Sequence, residues 1–264
     1  MREYILPGME SIVCAIDIGN TNTTAGLVDC ATLTCRETET VSSRNCVEHL
    51  PAIVEKLARQ YDFSCRFPIK ICTVIRSLQE EVIKKLSPLS CTASVSVISV
   101  TPNLPVTVVY DNPESLGTDR IANCFYCQFK YPDTNCIIID AGTAVTIDMF
   151  SADAVFEGGF IVPGYTLQLN ALHTDTAELP QITPYVDNEA FPPHTTQSCI
   201  AQGVRISLAG GIERIIGEIR SKRPHYSTIV TCGGGWRTLQ NLVSFSYDYQ
   251  PEMTLIGTGL YRDI

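Results

Sequence analysis

The chain has 264 residues, of which 45% are hydrophobic and 18% are charged, and its formal net charge is −9. This composition is typical of a compact globular protein with one large core or two smaller ones, and it excludes intrinsic disorder. The negative charge argues against the backbone of a nucleic acid or the surface of an anionic membrane as the main partner, although local donors and metal ions can still bind phosphate ligands.

The first half of the chain alternates predicted strands and helices. Two apolar runs around a small turn predict a hairpin over residues 12–18 and 23–29. Apolar residues at spacings of three and four predict an amphipathic helix from Val47 to Tyr61. The pattern then predicts a strand, a helix and two short strands, at Ile69 to Ile75, Leu78 to Leu86, Ser94 to Val100 and Val106 to Tyr110.

The second half repeats this organisation. A turn-rich linker from Asp111 to Asp119 opens a predicted helix, and a second hairpin covers residues 136–150. The remaining predictions are a glycine-rich strand, a long loop, an amphipathic helix and two strands with glycine turns, at 156–164, 174–195, 200–219, 228–235 and 255–259. Strands that alternate with helices indicate an α/β fold with largely buried sheets.

The two predicted hairpins look like copies of one another. Each has an apolar strand that ends in an acidic residue, Asp17 or Asp140, followed by a turn with Gly and Thr. Such turns also occur for backbone reasons alone, but two matched copies favour a shared role. Glycine and backbone amides suit a phosphate chain, and Asp can hold a metal ion that the phosphates share. The duplication therefore predicts two related half-domains whose turns face each other across a cleft.

Basic residues are scarce near both turns. No Lys or Arg occurs from Ser11 to Cys35 or from Cys136 to Val204, and the G-x-x-x-x-G-K pattern of a Walker loop is absent. A bound nucleotide would then depend on backbone amides, Thr hydroxyls and a divalent cation such as Mg²⁺. The sequence therefore predicts metal dependence.

The segment from Gly117 to Arg120 has two interpretations, which are compatible. Thr118 or Asp119, just before an apolar-periodic run, is typical of a helix N-cap. Alternatively, Asp119 is a general base for a substrate hydroxyl, and Arg120 beside the helix amides holds a substrate carboxylate or amide. Tyr110 would either belong to the core or line the same pocket.

Other motifs leave more than one interpretation open. The glycines of 157–164 predict a bulge, or a ligand or helix packed close to the backbone. Gly233 to Gly235 would approach an adenine ring or form a strand-to-helix turn. His173 and His194 favour surface or capping roles.

The cysteines and the N-terminus bear on the compartment. The 12 cysteines are scattered, and many of them lie in apolar runs. The one C-x-x-C, Cys124 to Cys127, favours buried thiols over a zinc or redox site. No apolar run reaches the roughly 20 residues of a membrane span, and residues 1–10 do not resemble a signal peptide. We therefore expect a cytoplasmic location.

Several motifs together resemble the type III pantothenate kinases, members of the acetate and sugar kinase, Hsp70 and actin superfamily. The resemblance runs from about Ile12 to Gly259. It is based on these segments, in the order of the family: Asp17-Ile-Gly-Asn-Thr-Asn-Thr-Thr24, Tyr110-x-Asn-Pro113, Gly117-x-Asp-Arg120, Asp140-Ala-Gly-Thr-Ala-x-Thr-x-Asp148, Glu157-Gly-Gly-x-Ile-x-Pro-Gly164, Thr176-Ala-x-Leu-Pro180, and Thr196 seven residues before Gly203.

The resemblance implies ATP-dependent phosphorylation of pantothenate to 4'-phosphopantothenate, the first step of coenzyme A biosynthesis. It implies two ribonuclease H-like domains of the actin-like ATPase type, at residues 1–118 and 119–264, and a homodimer. Asp119 would be the catalytic base, and Asp140 would ligate a monovalent cation, K⁺ or NH₄⁺. ATP would contact Asp17, Ile18, Gly19, Asn20, Thr21, Asn22, Thr23, Thr24 and Thr143. Pantothenate would contact Tyr110, Gly117, Thr118, Asp119, Arg120 and Thr196.

The chain also departs from the family pattern at two places. Thr118 stands where Ala is usual, and we expect it to add a helix cap. The segment Ile71 to Arg76 lacks the usual Ser-Val-Val-Pro run. Two other functions stay open at this point: another small-molecule kinase of the superfamily, and a non-catalytic regulatory paralogue.

Overall fold

A computed structural model describes residues 11–61, 66–101, 103–183 and 190–262 of the chain. It contains two mixed sheets flanked by helices, so the predicted α/β class is confirmed. None of the helices in these ranges is both long and apolar enough to cross a bilayer.

The first sheet is built around the first hairpin. Its strands are β1 (Ile12–Ile18), β2 (Asn22–Asp29), β3 (Thr34–Ser42), β4 (Phe67–Thr73) and β5 (Thr92–Val97). They follow the order β3-β2-β1-β4-β5, in which β1 is antiparallel to β2 and parallel to β4. Two helices, α1 (Cys46–Tyr61) and α2 (Gln79–Leu86), pack their apolar faces into the core of this sheet. The predicted elements of this region are thereby confirmed.

The second sheet is built around the second hairpin. Its strands are β6 (Thr107–Val108), β7 (Cys136–Ala141), β8 (Ala144–Phe150), β9 (Val155–Pro163), β10 (Thr228–Cys232) and β11 (Asp248–Tyr249), in the order β11-β10-β7-β8-β9-β6. The helices α4 (Tyr165–Thr174), α5 (Thr196–Lys222) and α6 (Trp236–Leu239) accompany this sheet. The helices α3 (Thr118–Lys130) and α7 (Met253–Leu260) instead pack on each other and on strands of the first sheet, α3 on β4 and α7 on β1 and β2. The buried face of α5 includes Val204, Leu208 and Ile212, as the sequence predicts.

The described residues divide into two compact units. The first contains the chain up to Thr134, Phe150–Gly158 and the chain from Glu252 onwards, and the second contains Asn135–Met149 and Gly159–Pro251. This division groups residues by packing, and the expected domains 1–118 and 119–264 stay a prediction. For the site it matters that the first hairpin and Asp119 belong to the same unit.

One prediction about the C-terminal region is wrong. Residues 255–259 form part of the helix α7 and not a strand with a glycine turn. A Cβ on Gly257 would collide with the carbonyl oxygen of Ala122 in α3. The glycine therefore allows two helices to pack closely, which a local pattern cannot reveal.

The glycine-rich segment also has a definite structure. Gly158 has a φ of +108°, a conformation that favours glycine, and a Cβ on Gly159 would collide with the carboxylate of Asp148 in the neighbouring strand β8. The backbone is therefore locally unusual at Gly158. The element that packs against Gly159 is the strand β8, and not the ligand or helix that the sequence left open.

Candidate functional site

The first turn joins two strands that pair in register. Asp17 lies opposite Thr24, and the amide of Gly19 donates to the carbonyl oxygen of Asn22 at 3.0 Å, which closes the turn. Asn20, Thr21 and Asn22 are exposed. The polar side chains of this turn are therefore accessible at the surface, and their contact with a phosphate chain stays a prediction.

Ser43, which the sequence did not indicate, stabilises this turn through hydrogen bonds of its side chain. Its hydroxyl donates to the carbonyl oxygen of Gly19 at 2.6 Å and lies 2.9 Å from the hydroxyl of Thr23. Because the single proton of Ser43 goes to Gly19, Thr23 donates to Ser43. Thr23 is buried, and its side chain therefore shapes the turn from inside, while the hydroxyl of Thr24 lies 3.1 Å from that of Thr40.

The second turn is enclosed by two other glycine turns of its own unit. The amide of Gly164 donates to the carbonyl oxygen of Thr143 at 3.0 Å, and a Cβ on Gly164 would collide with the backbone of the turn. Gly233 has a φ of +84°, and a Cβ there would lie 2.7 Å from Oδ1 of Asp140. The tight packing holds Asp140 in place, while Gly142 and Thr143 stay exposed. Gly233 to Gly235 form the strand-to-helix turn before α6.

Asp119 lies in the first turn of α3, whose N-cap is Gly117. Its Oδ1 accepts a hydrogen bond of 2.8 Å from the amide of Arg120, and it lies so close to Gly117 that a Cβ there would collide with it. Burial raises the pKa of the Asp119 carboxyl above its ordinary value, opposed by that hydrogen bond and by the charge of Arg120. The group is thus a fixed carboxylate whose basicity is higher than that of an exposed Asp.

Two aromatic rings hold the guanidinium of Arg120. Its Cζ lies 5.1 Å from the ring centroid of Phe156 and 6.0 Å from that of Tyr110, and the two rings are 6.2 Å apart. Phe156 is fully buried and Arg120 is 5% exposed, whereas Tyr110 is 38% exposed. A cation over the face of an aromatic ring is stabilised by the ring quadrupole. The structure therefore brings together Tyr110, Gly117, Asp119 and Arg120, and it adds Phe156, which the sequence did not single out.

Thr118 does not cap the helix, and that expectation is wrong. Its hydroxyl donates to the carbonyl oxygen of Thr73 at 2.9 Å and accepts from the amide of Thr73 at 3.1 Å. Both hydrogen bonds tie the start of α3 to the end of β4. The side chain of Thr118 therefore points into the protein, towards the end of β4.

Thr196 is the exposed first residue of α5, and its neighbour Thr195 caps that helix together with Ser198. His173 is on the surface, where its Nδ1 donates a hydrogen bond of 2.8 Å to the carbonyl oxygen of Leu179. Cys124 and Cys127 are both buried, as the sequence predicts, and neither is part of a disulfide.

The carboxylates suit a cation that is shared with phosphate. In the described ranges, no three His, Cys, Asp or Glu side chains form a group that could hold a metal ion by themselves. Mg²⁺ is usually bound by one or two carboxylates together with substrate phosphates and water. Asp17 and Asp140, each at the end of a strand that leads into an exposed turn, fit this mode of binding.

Comparison with known proteins identifies the family. A family model for type III pantothenate kinases matches residues 13–218. The type III pantothenate kinase of Porphyromonas gingivalis is 33% identical over 170 residues, which are 64% of this chain and 69% of the relative. That of Desulfosudis oleivorans is 28% identical over 252 residues, 93% of this chain and 96% of the relative.

The fold also agrees with solved structures. A ROK family glucokinase from Streptomyces griseus, solved in complex with glucose and AMPPNP, aligns with a TM-score of 0.54 at 12% identity, covering 94% of this chain and 98% of that chain. At this identity the similarity shows the actin-like ATPase fold alone. With the family model covering residues 13–218, the chain belongs to the type III pantothenate kinase family.

Proposed function

We propose that the protein phosphorylates pantothenate to 4'-phosphopantothenate with ATP, the first step of coenzyme A biosynthesis. The observation that carries this proposal is the family match over residues 13–218, which include both turns and Asp119. The arrangement of Asp119 beside Arg120 and Tyr110 supports it, because it combines a carboxylate of raised pKa with a held cation.

In the proposed reaction, Asp119 takes the proton of the substrate hydroxyl. The hydroxyl oxygen forms a bond to the γ-phosphorus of ATP, the bond from that phosphorus to the bridging oxygen breaks, and ADP leaves. A carboxylate whose pKa is raised by burial is a better base than an exposed one, which suits general base catalysis near neutral pH. Arg120, Tyr110, Gly117 and Thr196 bind pantothenate in this proposal, and the backbone of Thr118 contributes.

The two turns contact ATP in the proposal, through the backbone of 17–24 and the exposed Thr143. Mg²⁺ supplies positive charge that the surrounding sequence lacks, and Asp17 and Asp140 are the residues that would hold cations. Asp140, fixed by the close approach of Gly233, is the proposed ligand of K⁺ or NH₄⁺.

We propose a homodimer as the working form. The family match supports this proposal, because the resemblance to type III pantothenate kinases implies a homodimer. Sedimentation at micromolar concentration tests this, and a monomer would contradict it. The cytoplasmic location stays a prediction.

A coupled assay of ADP formation tests the function directly. Purified protein should release ADP only when pantothenate is present, and more rapidly with K⁺ or NH₄⁺ than with Na⁺. Asp119→Asn, which keeps the shape of the side chain, should reduce kcat by about 10²–10⁴-fold, the range for loss of a general base. ADP release with sugars or short carboxylates but not with pantothenate would indicate another kinase, and no release with any substrate would indicate a regulatory protein.

A further inference from the structure

Thr118 connects two parts of the first unit that lie far apart in sequence. Its hydroxyl group uses its proton for the carbonyl oxygen of Thr73 and accepts the amide proton of the same residue, and the sulfur of Cys72 lies 3.3 Å from it. By bonding both the amide and the carbonyl of a strand residue, the side chain takes the place of the hydrogen bonds that a neighbouring strand would make. The start of α3 is therefore bonded to the end of β4.

The bonded residue, Thr73, is also the neighbour of the first turn. In the parallel pair of β1 and β4, Ile18 lies beside Thr73 and Asp17 beside Cys72, and the amide of Val74 donates to the carbonyl of Ile18 at 3.2 Å. A chain of backbone contacts thus runs from the first turn through Thr73 to Thr118. Asp119 is the next residue.

A second contact ties the same strand end to the linker before α3. Arg76, three residues after Thr73, donates from its guanidinium to the carbonyl oxygen of Glu114. Within the linker, Leu116 is buried while residues 111–115 are exposed, so few other side chains anchor it. Arg76 and Thr118 lie in the two segments where this chain departs from the family pattern. The two departures meet at one place in the structure.

We propose that Thr118 is a positioning residue, whose hydroxyl fixes the start of α3, and with it Asp119, against the strand beside the first turn. This rests on the proposed function for its catalytic consequence. The substitution Thr118→Val has nearly the same shape but leaves the amide and carbonyl of Thr73 without their bonds, which is the costly way to lose a hydrogen bond. Displacement of a catalytic group by about 1 Å can reduce a rate by about 10²-fold.

The test compares three variants with the unmodified protein. Thr118→Val should lower kcat by about 10- to 100-fold with a change in KM for ATP below about twofold, and Thr118→Ser, which keeps the hydroxyl, should retain most of the activity. Thr92→Val is the matched control, since Thr92 is buried and donates to the carbonyl oxygen of Leu86 at 3.0 Å, away from the site. Both valine variants should lower Tm by about 2–4 °C, but only Thr118→Val should lower kcat.

Hydrogen exchange provides a readout that does not depend on kinase activity. The amides of Thr73 and of residues 118–121 should exchange faster in Thr118→Val than in Thr118→Ser, while those of β2 stay unchanged. If Thr118→Val does not fold, Thr118→Ala takes its place in both measurements. Equal kcat or equal exchange in the Val and Ser variants would overturn the proposal. A lack of ADP release by the unmodified protein would instead contradict the proposed function, and exchange would still decide whether the hydroxyl holds the helix.

Discussion

At the scale of single residues, the site depends on how Asp119 and Arg120 are held. The carboxylate of Asp119 accepts from the amide of Arg120, and the guanidinium of Arg120 lies over the rings of both Tyr110 and Phe156. The sequence indicated the two charged residues because they precede an apolar-periodic run. It could not indicate Phe156, because an apolar residue in a strand has the same pattern whether it supports a core or a cation.

The pH dependence of the reaction should report the raised pKa of Asp119. Its carboxylate must be deprotonated to accept a proton, so kcat/KM for pantothenate should rise with pH and level off above the pKa. Because burial raises that pKa, the rise should lie at higher pH than the ordinary range of an aspartate. Steady-state kinetics between about pH 4 and pH 8 measure it, with circular dichroism to confirm the fold. A rate that is constant down to the pKa of an exposed carboxylate would contradict the assignment of Asp119 as the base.

Substitution of Phe156 should weaken substrate binding without changing the chemistry. Phe156→Leu keeps an apolar side chain but removes the ring that faces Arg120, and a buried cation–π contact contributes about 0.5–2 kcal/mol. We expect KM for pantothenate to rise by about 2- to 30-fold, with kcat nearly unchanged.

The control for that prediction is Phe125→Leu. Phe125 is also fully buried, and its ring centroid lies 5.7 Å from that of Tyr261, which is an uncharged aromatic side chain. Phe125→Leu removes the same aromatic volume as Phe156→Leu, and from the same unit. A KM for pantothenate that rises equally in both variants would mean that Phe156 acts through the core and not through Arg120.

At the scale of elements, the sequence predicted the strands and helices whose apolar residues recur at a regular spacing, and it missed those without such a spacing. The hairpins and α5 have a buried side that recurs at the expected spacing. The strand β3 has no buried residue, because it lies at the edge of its sheet, and so it has no apolar pattern. The helix α7 is buried at nearly every position, which also removes the period. The helix α4 buries only Tyr165 and Leu169, too few to distinguish it from a loop.

The approach of Gly164 to the second turn gives a prediction at this scale. In Gly164→Ala the new methyl group would collide with the carbonyl oxygens of Gly142 and Thr143, so the turn has to move. Since these are backbone atoms, we expect KM for ATP to rise by about tenfold or more and Tm to fall, because overpacking costs about 1–3 kcal/mol.

Gly217→Ala is the opposite case and serves as its control. Gly217 is exposed on α5 and has no atom within 4 Å of the added Cβ among the described residues. Alanine is about 1 kcal/mol more favourable than glycine in a helix, so this variant should gain about 2–4 °C in Tm with an unchanged KM for ATP. An unchanged KM for ATP in Gly164→Ala would show that the second turn does not contact the nucleotide.

At the scale of the whole molecule, the distribution of charge matters more than its sum. The net charge of −9 is unfavourable for an anionic nucleotide, and both turns lie in long stretches without Lys or Arg. This property could be read from the sequence alone. The contacts that join Thr118 to Thr73 could not, because they join segments 45 residues apart and depend on the packing of α3 against β4.

The lack of basic residues predicts that nucleotide binding depends on Mg²⁺. Removal of divalent cations with EDTA should abolish ADP release and weaken ATP binding by more than about tenfold. The reason is that two unit charges about 4 Å apart interact with about 1 kcal/mol in bulk water and about 4 kcal/mol near a protein surface. Asn20→Lys should recover part of that loss, because Asn20 is exposed in the first turn and an ammonium there would face the phosphates. Calorimetric titration with ATP in EDTA measures both effects, with Asn20→Gln as the neutral control. If ATP binds equally well with and without Mg²⁺, or if lysine and glutamine give the same affinity, the turns bind something other than the phosphate chain.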